Sequence, residues 1–127
     1  MSLYDQLLDL LDQSPLIRDH ATIETKTVDE ATFSFKVRAT ITDELTLQIR
    51  YLHDGGFVRY SYQLFSTEPV LRWDNAPHFP DLPGFPHHFH DDKGNRRSSP
   101  LRGNLLSDIA IVLSEIEKYV IKTGSDQ

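Results

Sequence analysis

The sequence predicts an α+β fold: an antiparallel meander sheet of four to five strands, with an N-terminal and a C-terminal helix packed on it. Three features lead there. Leucines at helical spacing open the chain, apolar residues at helical spacing close it, and alternating segments divided by tight-turn residues lie between.

The first helix starts at Ser2, whose hydroxyl can cap free backbone N–H groups, with Asp5 at the reciprocal position of a capping box. Leu3, Leu7, Leu10 and Leu11 form its apolar stripe, Asp5, Asp9 and Asp12 its solvated side, and Ser14-Pro15 stops it. Ile17, Ala21 and Ile23 mark a weakly patterned first strand. His20 falls on its polar phase, and a structural role is expected there, as for His53 ahead of a turn. Phe33, Phe35, Val37, Ala39 and Ile41 alternate with polar residues, the pattern of a half-buried strand. Thr42-Asp43-Glu44 turns the chain into Leu45, Leu47, Ile49 and Tyr51, again alternating. Asp54-Gly55-Gly56 can adopt the positive φ angles of a hairpin turn, and Val58, Tyr60, Tyr62 and Leu64 share one face of the next strand. Residues 70–73 suffice for a short fifth strand, and Pro69, lacking an N–H, suits an edge. The last helix is capped by Asn104, buries Leu105, Ile109, Val112, Ile116 and Val120, widens its stripe through Leu106 and Leu113, and ends at Gly124.

The 127 residues, 39% hydrophobic and 25% charged, have the composition of a globular chain and read as a single domain over 1–127. No apolar run is long enough to span a membrane. An acidic N-terminus without an early Lys or Arg argues against a signal peptide, and the absence of cysteine excludes disulfides, thiolate metal sites and cysteine nucleophiles. A cytoplasmic location is expected. The net charge of −6 is uneven: residues 1–69 carry −5 and residues 103–127 carry −2, whereas residues 70–102 carry +1 and four of the six histidines.

Folding alone does not account for residues 72–103. Six of the seven prolines fall between Pro69 and Pro100, forbidding regular helix or central strand over most of this stretch. Trp73, Phe79, Leu82, Phe85 and Phe89 give it apolar anchors, so a stiff docked loop carrying polar chemistry is expected, with residues 91–99 mobile. If residues 85–90 are extended, His88 and His90 share a side and His87 points the other way. His-x-His is a metal-ligand spacing that His78 or Asp74 can complete, but no cysteine or HExxH spacing supports it. No cofactor is therefore expected, a divalent metal at His78, His88 and His90 being the lesser alternative.

Acid–base chemistry is the other use of these histidines. Imidazole titrates at about 6.5, so a pair can accept and return protons near neutrality. Cleavage of an RNA phosphodiester by its own 2′-hydroxyl needs such a pair, plus a cation such as Arg72, Arg96 or Arg97. Arg96 and Arg97 also read as a solvated loop tip. Trp73 can stack on a base, although pinning the loop to the core is the commoner use of a large aromatic. Asp74 can orient a histidine, or fix a turn together with Asn75 ahead of Pro77. Ser98-Ser99-Pro100 has no base at fixed spacing, and no phosphate-cradling glycine loop is present.

The string RWDNAPHFPDLPGFPHHFH, residues 72–90, resembles the signature of the TumE family, small toxins of type II toxin–antitoxin modules. The family pattern R-W-D-N-A-P-H-H-P-E, followed shortly by F-P-H-H-K-H, is met at 72–78 and 80, and at 85–88 and 90. Phe79, Asp81 and Phe89 stand where the pattern has His, Glu and Lys, and the lost lysine is expected to weaken phosphate binding. The resemblance implies a cytoplasmic toxin, an antitoxin partner with a helix-turn-helix domain, and growth inhibition through RNA, with a homodimer left open. The expected function is thus that of a metal-independent ribonuclease. His88 and His90 serve as acid and base, His78 and His87 support them, Asp74 orients, and Arg72, Trp73 and Asn75 contact substrate. The alternative is a non-enzymatic module that docks a DNA-binding partner through Trp73, Phe79 and Phe85.

Overall fold

The computed structural model describes residues 1–124. Ser2 accepts a hydrogen bond from the Asp5 N–H at 3.1 Å, and Asp5 closes the capping box, so helix α1 runs from Leu3–Gln13. Strands β1 (Asp19–Asp29), β2 (Thr32–Thr40), β3 (Thr46–Asp54), β4 (Phe57–Phe65) and β5 (Pro69–Asp74) follow, then β6 (His88–His90), β7 (Arg96–Ser98) and helix α2 (Leu105–Thr123). All seven strands pair antiparallel with their sequence neighbours in one sheet, ordered β1 to β7. The α+β class holds; the sheet has more strands than the alternation pattern predicts.

The period of two sets the layers. Phe35, Val37 and Ala39 on β2, Leu47, Ile49 and Tyr51 on β3, Tyr60, Tyr62 and Leu64 on β4, and Leu71 and Trp73 on β5 all point to one face. There they form one core with Leu7 and Leu11 of α1 and Leu105, Ile109, Val112 and Ile116 of α2. Both helices therefore cover the same face, and the other face carries none. Asn104 caps α2 by accepting from the Ser107 N–H, and Gly124 ends it in the left-handed region. The buried Asp108 accepts from the Arg102 and Gly103 N–H groups, fastening the end of the long connection to the helix. Among the described residues no helix is long and apolar enough to cross a membrane.

Three local expectations change. In β1, His20 meets Asp12 of α1 and Thr22 meets Tyr4, while Ala21 and Ile23 are exposed. The phase is thus the reverse of the apolar one, because polar partners on α1 reward the polar side of the strand. Pro69 opens β5 but does not mark an edge, since β6 pairs along the strand's second half. The stretch 91–99 forms a hairpin between β6 and β7: Asp91 accepts from the Lys93 and Asn95 N–H groups, and Gly94 takes the positive φ of the turn.

Candidate functional site

The proline-rich connection returns β6 to the sheet beside β5, and register then decides what meets what. Asp74 lies opposite His88, and Arg72 opposite His90; on the far side His90 faces Arg96. All lie on the helix-free face. The chain leaves β5 through Asn75, whose side chain accepts from the Tyr60 N–H and donates to the Val58 carbonyl, continuing the ladder to β4. The loop then places the Phe79 ring edge-on to His88 and His90, at 4.8 and 5.9 Å between centroids.

Asp74 organises the centre. One oxygen accepts from Arg72 Nε at 2.8 Å, and the other accepts from the Ala76 N–H at 2.9 Å and faces His88 Nε2 at 3.0 Å. Gln63 of β4 takes a further Arg72 N–H. His88 is 2% exposed, and its Nδ1 faces the Pro86 carbonyl at 3.0 Å. Both ring nitrogens thus face oxygen atoms of the protein, so the ring is committed to Asp74 and the Pro86 carbonyl rather than to a substrate.

His90 differs. It is half-buried, its pKa lies below 6.5, and the first cause is burial; the charges of His88, Arg72 and Arg96 add to it while Asp74 opposes. Arg96 lies over the Phe79 ring at 4.6 Å, which holds its guanidinium on the site. The site therefore presents a neutral imidazole between two guanidinium groups.

The other expected residues lie as follows. His78 is exposed and touches Phe79 at 6.0 Å between centroids. His87 is on the opposite face, stacked on Tyr60 with Nδ1 2.8 Å from the phenol oxygen; burial chiefly lowers its pKa. Trp73 is 1% exposed and packs against Phe89 in the core, so it presents no face to a base, and Asn75 is buried and committed to β4. Phe89 faces this core rather than the histidines, so a lysine missing there removes nothing from the site. Arg97 pairs with Asp91 beside the turn. Phe79 acquires its place through the proline-rich loop and Arg96 through the β6–β7 hairpin, whose three-residue strands are too short to show alternation; the Asp91 to Gly94 turn chemistry is the available signal for the hairpin.

Asp74, His88 and His90 also bring ligand atoms within 4.8 Å of one another, the spacing of a metal cluster. The donor set fits an ion poorly: Asp74 and His88 are committed to Arg72, Ala76, Pro86 and each other, and two guanidinium groups stand beside His90.

No curated protein and no solved structure matches the chain. The family model described as Toxin TumE does, over residues 7–121, a span that includes β1 to β7, the second half of α1 and most of α2. The chain therefore belongs to the TumE toxin family, the toxin component of a toxin–antitoxin system whose partner is an antitoxin.

Proposed function

We propose that this toxin cleaves RNA without a metal, using His90 as general base. The observation that carries the reading is the row Arg72–His90–Arg96 on the helix-free sheet face, with His90 half-buried beside Phe79. His90, neutral at pH 7, takes the proton of a 2′-hydroxyl, the freed oxygen attacks the adjacent phosphorus, and Arg72 and Arg96 stabilise the charge that builds on the phosphoryl oxygens. The departing 5′-oxygen takes its proton from a second imidazole, and His78, across Phe79 from His90, is assigned that role. His88 and Asp74 act as positioning residues that hold Arg72 and the β5–β6 edge in place. The antitoxin carries a helix-turn-helix domain on this reading, and the toxin acts in the cytoplasm.

The docking-module alternative loses support from the burial of Trp73 and the packing of Phe79 against the histidines, which leave Phe85, 44% exposed, as its one open aromatic. Induced expression of wild type and His90→Ala in a bacterial host tests the proposal, with both proteins shown to be folded and equally abundant. Growth arrest by wild type alone is expected; arrest by both overturns the assignment of His90.

A further inference from the structure

We infer that the whole helix-free face is a track for the phosphates of single-stranded RNA, leading into the Arg72–His90–Arg96 row. This inference rests on the ribonuclease reading and adds where and how the substrate lies. Strand register arranges the face in three rows. Arg38, Gln48, Gln63, Arg72, His90 and Arg96 form one. Lys36, Arg50, Ser61, Asp74 and His88 form the core of the second, and Lys26, Ser34, Leu52 and Arg59 the third. Seven basic residues thus share a face with five acids, Asp19, Glu24, Asp29, Asp54 and Asp74, an excess of positive charge in a chain whose net charge is −6. Two of those acids are already occupied, Asp74 by Arg72 and Glu24 by Lys36 at 3.9 Å.

Three guanidinium groups of the face rest on aromatic rings: Arg38 on Phe65 at 5.7 Å, Arg59 on Phe57 at 5.4 Å and Arg96 on Phe79 at 4.6 Å. A guanidinium held flat on a ring keeps its N–H edge available for a phosphate. Arg59 Nε is buried with no hydrogen-bond partner among the described residues. A groove of about 400 Å³, lined by Arg50, Arg59, Ser61, Arg72 and Asp74 among others, joins these rows to the site. At a strand spacing of ~4.8 Å, the path from β2 to β6 is ~19 Å, the reach of a short single strand rather than of one nucleotide. The face favours RNA over an acidic polypeptide because its centre, from Lys36 and Arg50 to Arg72, is polar, its exposed large apolar residues Leu52 and Phe57 lying toward the β3–β4 turn.

Fluorescence anisotropy of a labelled single-stranded RNA on cleavage-impaired His90→Ala protein, across a salt series, tests the track apart from the chemistry. Lys36→Glu/Arg50→Glu is expected to weaken binding about tenfold or more and to reduce the salt slope by about 1.4, two phosphate contacts at about 0.7 each. Lys122→Glu, on α2, should leave both unchanged, with thermal melts confirming that each protein is folded. Unchanged affinity and slope in the Lys36/Arg50 variant overturn the track even if wild type cleaves RNA. Track-dependent binding by a wild type that never cleaves sustains the track and overturns the ribonuclease reading. Displacement of the RNA by poly-L-glutamate at matched charge overturns it in favour of an acidic polypeptide.

Discussion

Asp74 and His90 divide the labour of the site: one is buried and saturated with hydrogen bonds, the other is half-open and short of them. The neighbours of His90 set its protonation. Burial, then the His88, Arg72 and Arg96 charges, favour its neutral form, so an NMR titration should place it below 6.5, and Arg96→Ala should move it upward. A value at or above 6.5 in wild type would contradict the assignment. A second residue stands out for the opposite reason. The Tyr62 phenol is buried on the helix side with no hydrogen-bond partner among the described residues, an arrangement that costs about 1–3 kcal/mol. Tyr62→Phe should raise stability by about 1 kcal/mol, or Tm by about 4 °C, as read by thermal melting. The residue types of the site, the His-x-His pair, Asp74 and Arg72, are legible in the sequence, but their meeting is not, since it follows from the β5–β6 register. Which histidine is free is not legible either, because burial of His88 depends on Phe79 and on the Pro86 carbonyl, contacts made across a non-repetitive loop.

Among the elements, the β6–β7 hairpin sets the site's far wall. Asp91 accepts from Arg97 Nε at 2.7 Å and from the Asn95 and Lys93 N–H groups of the turn, and these bonds, that of Arg97 first, lower its carboxyl to about 2. Asp91→Ala should speed hydrogen exchange of the Lys93 and Asn95 amides and lower RNA cleavage, because Arg96 loses its register with His90. Unchanged exchange would show that the turn holds without this side chain. The long elements were readable because each buries one phase of its repeat: α1, α2 and β2 to β4 follow their apolar spacing closely. In β1 the apolar phase misleads, since contacts of His20 and Thr22 with α1 outweigh the burial of Ala21 and Ile23. Strands of three residues, such as β6 and β7, contain too few alternations for a period to show.

For the whole molecule, an acidic chain places seven of its 13 Lys and Arg residues on one helix-free face, an asymmetry that follows from strand register and is invisible in regional charge sums. The two histidines with lowered pKa values couple the fold to pH. His87 and His90 bind protons more weakly in the native state than in the unfolded one, so their contribution is full above about 6.5 and declines as pH falls through their lowered values. Asp91 behaves as a depressed carboxylate: its contribution is complete above 3.8 and is lost as pH falls toward about 2. Denaturant midpoints measured in steps from pH 8 downward should therefore fall once below neutrality and again in the acid range. Midpoints that rise between pH 7 and 5 would contradict the histidine directions.

On the proposed mechanism the half-buried His90, flanked by Arg72 and Arg96, cleaves RNA through its 2′-hydroxyl. The most direct test incubates purified, antitoxin-free protein with RNA in the presence of EDTA and identifies the new ends by mass spectrometry. Wild type is expected to give 2′,3′-cyclic phosphate and 5′-hydroxyl ends, and a folded His90→Ala variant to leave the RNA intact. Intact RNA with wild type, or cleavage that EDTA abolishes, would contradict the mechanism.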